Sequence, residues 1–266
     1  MHPTLIDTNL LGLIIYLSSY RFFMILAMTV AVIGSYWLIK KSELNLRRSL
    51  IILITTIIAF LLGARLLNII VNINLYLDNP ARIWSLNATG FSEYGGIICA
   101  VMIGWLAARR LKLDIWRLGD LLAPNLGLAI AVMRIGCFLN GCCFGTPTNL
   151  PWGIKFPIFS DAHLHQLSTG QATIFGSIPV HPTQIYELLA ALIGSAIAIL
   201  ILKKKLQTGV AVLAFMIWFT AFRLFNHFLR VLPADFSAPG WFYPLLYLII
   251  ITLCIILLFR RLKKTK

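Results

Sequence analysis

The sequence predicts an all-α integral membrane protein with seven transmembrane helices. Three observations carry this. Hydrophobic residues make up 59% of the 266-residue chain and charged residues 12%, a balance too apolar for a soluble domain of this size. The apolar residues gather in seven runs that approach the roughly 20 residues needed to cross a bilayer. The cations sort into clusters in alternate loops between those runs, as a fixed membrane orientation requires.

The expected spans are 17–39, 50–77, 93–108, 119–140, 182–202, 208–231 and 242–259. The third is short, and the fourth contains Pro124. The loop at 40–49 holds Lys40, Lys41, Arg47 and Arg48; the loop at 109–117 holds Arg109, Arg110, Lys112 and Arg117. Lys203, Lys204 and Lys205 follow on the same side, then Arg260, Arg261, Lys263, Lys264 and Lys266 in the tail. Sixteen of the 23 Lys and Arg lie there, while the opposite loops hold only Arg82 and Lys155. The N-terminus is therefore expected outside and the C-terminus in the cytoplasm. The net charge of +14 is spread as topology determinants and not as a patch for nucleic acid, so no nucleic-acid partner is expected. The first 16 residues carry Asp7 and no Lys or Arg, so no removable signal peptide is expected. Residues 146–181, with the Pro-rich "TPTNLPWGIKFP", read as an extracytoplasmic cap inserted into a single seven-helix domain of residues 1–266.

Five arginines remain inside apolar segments: Arg21, Arg65, Arg134, Arg223 and Arg230. A charge near the bilayer centre costs several kcal/mol, on estimates that differ widely. Arg21 and Arg230 lie close enough to span ends to snorkel. Ion pairs with Glu93 or Glu187 account for some of the others, but two acids do not balance five cations. The surplus points to an anion from elsewhere, and in a bilayer that is a phospholipid phosphate, which suits the flat guanidinium fork. Arg223, His227 and Arg230 are spaced to share one helix face. Polar residues of five segments gather at the same ends of the spans: Tyr20 and Arg21, "GFSEYGG" (90–96), "RIGCFLNGCCFG" (134–145), "HPTQIYE" (181–187) and "RLFNHFLR" (223–230). That convergence marks a site. Gly95, Gly96, Gly136, Gly141 and Gly145 either offer N–H groups to an anion or let helices pack closely.

"GAR" at 63–65, "RIGCFLNGCCFG", "HPTQIYE" and the Arg223–Arg230 pattern together resemble the prolipoprotein diacylglyceryl transferases of bacteria, over essentially the whole chain. The resemblance implies a multi-pass protein of the bacterial cytoplasmic (inner) membrane. It implies transfer of diacylglyceryl from phosphatidylglycerol to the lipobox cysteine of a prolipoprotein signal peptide, giving a thioether and glycerol phosphate. Arg134, Asn140 and Gly145 match the family signature, Arg223 its late arginine and Tyr20 its early tyrosine. His181, Gln184, Tyr186 and Glu187 match its HPxQxYE box. Tyr94 stands where the family usually has His, Cys137 where it has Asn, Cys142 and His227 where it has Glu, and Arg21 where it has a small residue. Those departures raise the alternatives of a lipid-binding paralogue with another acceptor or none, or a lipid transporter; no inverted repeat supports the transporter.

Such chemistry needs a phosphate site and a general base. Arg134 and Arg223 are the phosphate candidates, with Asn140, Gly145, Gln184, Glu187 and Arg230 grouped beside them. His227 and His181 titrate in the useful range and are the base candidates, with Tyr20 and Tyr94 as phenols beside the arginines. Capping of the fifth helix is the other reading of His181. Cys137, Cys142 and Cys143 admit packing, a disulfide or a metal shared with His181 or His227. C-x4-C-C matches no standard zinc spacing, and neither metal nor cofactor is expected.

Overall fold

The structure, a computed structural model, describes residues 4–10, 13–84, 92–232 and 239–263. It departs from the all-α expectation at its start, where β1 (Thr4–Leu10) and β2 (Leu13–Ser18) pair antiparallel, Asp7 opposite Tyr16. Helices form the rest of the regular structure. Seven have 18 residues or more: α1 (Ser19–Lys41), α2 (Leu46–Val71), α4 (Glu93–Arg110), α5 (Ile115–Asn140), α7 (Thr183–Lys203), α8 (Val210–His227) and α9 (Phe242–Lys263). Between them lie α3 (Ile73–Asp78), a 3-10 turn (Pro80–Trp84) and α6 (Asp161–Ser168).

Six of the long helices are long and apolar enough to span a membrane; α4, with Glu93, Arg109 and Arg110 in its 18 residues, is the seventh and falls short of that standard. Large apolar side chains point outward along these helices, Leu62 being 65% exposed and Val101 66%. An outward apolar surface of this extent fits lipid as the solvent, and the chain is a multi-pass helical membrane protein. Two expected spans end early. The run 50–77 breaks at Asn72, whose side-chain amide and backbone N–H both donate to the Asn68 carbonyl, 3.1 and 3.0 Å. The run 208–231 stops at His227.

The chain forms two compact units, residues 36–118 and residues 1–35 with 119–266. In the first, α2 and α4 touch backbone to backbone. A Cβ on Gly95 would lie 2.3 Å from the Gly63 carbonyl oxygen, and one on Gly63 would lie 2.4 Å from that of Gly95. The Ser92 N–H donates to the Ala64 carbonyl, 2.8 Å, at the same level. Small residues allow such approach between membrane helices. Of the two roles open to Gly95 and Gly96, close packing is the one seen, with Gly96 lying on the Phe60 ring. Arg65 also acts locally: its Nε (3.2 Å) and Nη2 (3.0 Å) donate to the Ile83 carbonyl, and Nη2 donates to that of Arg82. These bonds tie the 3-10 turn to α2.

In the second unit, Ala123, Ala198, Ala211 and Phe215 form the core between α5, α7 and α8. Two buried polar groups set the helices in place. Asp120 of α5 accepts from the Gly209 N–H (2.6 Å) and the Val212 N–H (2.8 Å), capping α8 where no residue of α8 itself does so. Ser195 of α7 donates to the carbonyl of Pro124, 2.9 Å.

The segment 141–182 has its own small core of Phe144, Phe156, Ala162 and Val180. Residues 144–146 pair with His181 on one side and with 229–231 on the other: Gly145 N–H to His181 O 3.0 Å, Thr146 N–H to Leu229 O 2.8 Å, and Val231 N–H to Phe144 O 3.1 Å. Two buried side chains of α6 hold the loop that follows. His163 accepts the Phe159 N–H at Nδ1 (3.1 Å), so Nε2 carries the proton and donates to the Thr173 carbonyl (2.9 Å). Gln166 meets both backbone groups of Ile178, donating at 3.1 Å and accepting at 3.0 Å.

Two outcomes follow. Gly95→Val lowers unfolding stability in detergent by about 1–3 kcal/mol, since the added methyls must push α2 and α4 apart. Gln166→Ala loosens 171–178, leaving both Ile178 groups without their partner at a cost of about 1–3 kcal/mol, and limited proteolysis then cuts that loop first.

Candidate active site

The site is built on Glu187, 3% exposed, about one turn into α7. Its Oε2 lies 2.6 Å from Nε of Arg134 on α5 and 3.4 Å from Nη1 of Arg223 on α8. Its Oε1 accepts from the Asn226 side-chain amide, 3.0 Å. The Arg134 contact is an ion pair by distance and does not lie along the N–H bond, which leaves Nε without an aligned acceptor. Arg134 is 6% exposed. Arg230 stands nearby in chain terms, on the segment that bridges to Gly145, and its buried Nε has no hydrogen-bond partner among the described residues. Two guanidiniums therefore pair with one carboxylate, and that of Arg230 acts on it electrostatically as well.

The two sequence motifs form one structural piece. Thr183 donates to the Cys143 carbonyl (2.6 Å) and Gln184 to the Cys142 carbonyl (2.7 Å), so the start of α7 holds the turn that follows α5. Gly141, at φ +77°, reverses the chain into that turn. Gly145 is wedged where a Cβ would lie 2.6 Å from the His181 carbonyl oxygen and 2.7 Å from that of Leu229. Its N–H is engaged by His181, so Gly145 contributes close packing and its N–H is not available to an anion.

The other candidates fall in different places. Tyr20 opens α1 beside Ser19, whose carbonyl lies at the contact where Phe23 packs on Gly136 of α5, and its phenol shares the electrostatic surroundings of Cys137 and Arg134. Asn140 closes α5, half-buried. The His181 ring does not cap α7. Its Nδ1 pairs with the Tyr186 hydroxyl (3.2 Å), which accepts from the Trp152 indole (2.8 Å). His227 ends α8 with its ring against Tyr243 and Tyr247 of α9, centroids 6.0 and 6.3 Å away. The shared helix face expected for Arg223, His227 and Arg230 does not form, because α8 ends at His227 and residue 230 pairs with residue 145 instead. Tyr94 lies in the first turn of α4, in the other unit, and its side chain is outside the described residues. Among the described residues, Cys137, Cys142 and Cys143 are the group placed so that it could hold a metal ion, and neither His181 nor His227 is part of it.

The family described as prolipoprotein diacylglyceryl transferase matches residues 9–264. The chain belongs to that family. A relative from Clostridium tetani named phosphatidylglycerol–prolipoprotein diacylglyceryl transferase is 36% identical over 187 residues, 70% of this chain and 68% of its own. One of the same name from Bifidobacterium adolescentis is 30% identical over 203 residues, covering 72% of this chain and 59% of its own. One from Clostridium perfringens, named as a second such transferase, is 32% identical over 180 residues, covering 66% and 64%. The match thus takes in about two thirds or less of these relatives' own length.

Reasoning on the diacylglyceryl transferase motifs missed Thr183 and Asn226. Both are small polar residues at motif positions, and a search for charges and imidazoles passes over them. The arrangement predicts that Glu187→Gln, which keeps shape and the Asn226 bond but removes the charge, lowers unfolding stability by about 3–5 kcal/mol, because two buried guanidiniums lose their counter-charge. Denaturant titration in detergent measures it.

Proposed function

We propose that this chain transfers diacylglyceryl from phosphatidylglycerol to the lipobox cysteine thiol of a prolipoprotein, releasing glycerol phosphate. The observation that carries the reading is the charge balance at Glu187: two guanidiniums pair with one buried carboxylate and that of Arg230 acts on it too, so positive charge exceeds negative by two. The phosphodiester of the donor lipid carries one negative charge, and the departing phosphate monoester carries about 1.5 to 2 near pH 7. A site with two surplus cations binds the leaving group more tightly than the lipid, which is the condition for catalysis. The acceptor thiol loses its proton to a base and its sulfur bonds to the terminal glyceryl carbon. The carbon–oxygen bond to phosphate breaks, and its electron pair goes to the phosphate oxygen. Arg134, Arg223 and Arg230 receive that charge, with Asn140, Gln184 and Gly145 shaping the pocket. His227 is the leading base, with His181, Tyr20 and Tyr94 behind it.

The membrane arrangement in this reading has α4 as a seventh span, making one seven-helix domain in the bacterial inner membrane. The loop cations support an outer N-terminus, a cytoplasmic C-terminus and an extracytoplasmic cap at 146–181. The site then opens toward the outer leaflet, where a lipoprotein signal peptide emerges.

Purified protein incubated with labelled phosphatidylglycerol and a lipobox peptide yields a lipidated peptide. Arg134→Ala removes turnover by about 100-fold or more, in the range of losing one charge-stabilising donor, and folding is checked in parallel. His227→Gln loses most turnover while labelled lipid stays bound. Retained lipid without any lipidated peptide, in the unaltered protein, overturns the transferase reading.

A further inference from the structure

Cys137, Cys142 and Cys143 have no part in the steps above, yet their sulfur atoms all lie within 4.8 Å of one another. The chain holds them there by several independent contacts. Cys137, 2% exposed, sits in the last turn of α5. Gly141 reverses the chain at φ +77°, and Cys143 takes φ +61°. A left-handed residue with a side chain costs about 1–3 kcal/mol and persists only where its surroundings impose it. Here Thr183 and Gln184 impose it, through 2.6 and 2.7 Å bonds to the carbonyls of Cys143 and Cys142. None of the three is in a disulfide.

We propose that Cys137, Cys142 and Cys143 form a three-thiolate binding site for a thiophilic divalent metal ion of the zinc class. Zinc–sulfur bonds of about 2.3 Å at tetrahedral angles place sulfur atoms about 3.8 Å apart, which small side-chain rotations reach from the separations present. A disulfide needs two of them at about 2.05 Å. Soft thiolates select such ions over hard ones. Each thiol releases its proton to solvent as it binds. Three thiolates and one divalent ion leave a single negative charge, and Arg134 lies beside it, Nη1 3.8 Å from Cys137 Sγ. Among the described residues no imidazole joins the set: His181 pairs with Tyr186, and the His227 ring lies against Tyr243 and Tyr247. The ion therefore keeps a fourth position open, as catalytic zinc sites do. Resting on the transferase reading, that position takes the acceptor cysteine as a thiolate, since coordination keeps a thiol deprotonated.

The test is cadmium titration of the reduced, full-length protein in detergent. A sulfur-to-cadmium charge-transfer band in the ultraviolet grows and saturates at one ion per chain. Cys142→Ser and Cys143→Ser each weaken binding by more than the ~10–100-fold that loss of an outer-shell partner costs. Both are partly exposed, so they guard against a folding defect in Cys137→Ser. A double variant of the remaining cysteines, Cys99→Ser with Cys254→Ser, titrates as the unaltered protein does. A peptide with one cysteine shifts the saturated band, and its serine counterpart does not. Absence of a saturable band, or one that survives Cys142→Ser and Cys143→Ser, overturns the site; a band blind to the cysteine peptide overturns its open position. Metal uptake with no lipid transfer sinks the transferase reading and leaves the site standing, and transfer with no metal uptake does the reverse.

Discussion

The carboxylate of Glu187 is the constraint on which the rest of the larger unit turns. It draws guanidiniums from α5 and α8 onto α7, deep inside an apolar protein. Burying an ion costs several kcal/mol, and an ion pair offsets that only where geometry and further bonds are good. Asn226 supplies one such bond, on the second oxygen. The cluster is still short of negative charge, so its own electrostatics ask for an anion. A protein selected for stability alone would replace such a group with apolar side chains. In the proposed reading the whole cluster is kept for ligand binding, with the acid holding in place the arginines assigned to the phosphate.

Helix existence was legible in the chain and helix ends were not. Hydropathy marks each apolar run, because a run reads the same in any surroundings. Termination is decided by particular hydrogen bonds: Asn72 closes α2 on Asn68, and residues 229–231 leave the helical path to pair with 144–146. The expected alignment of Arg223, His227 and Arg230 failed for that reason. The candidate site was half legible. The surplus of arginine pointed to it, and the HPTQIYE motif brought Glu187. The thiol cluster was not legible, since four residues lie between Cys137 and Cys142 and only the reversal at Gly141 brings the sulfurs together. Nor was Asp120, which looks like another span-end acid and in fact caps α8.

Asn125, far from the arginines, has a reach that its position conceals. Its amide donates to the carbonyls of Val30 and Ala31 and to the Ser35 hydroxyl, at 3.2, 3.1 and 3.2 Å. These bonds index α1 against α5 like a key in a slot. A slip of one turn, about 5.4 Å, would strand the amide in an apolar interior. The two helices run in opposite directions, so the setting carries upward along both. From Val30 back to Tyr20 is about 15 Å, and from Asn125 on to Arg134 is about 13.5 Å, at 1.5 Å of rise per residue. The level of Tyr20 relative to Arg134, which share one electrostatic neighbourhood, is thus metered from the middle of the helix pair, by an amide whose own bonds go to neither.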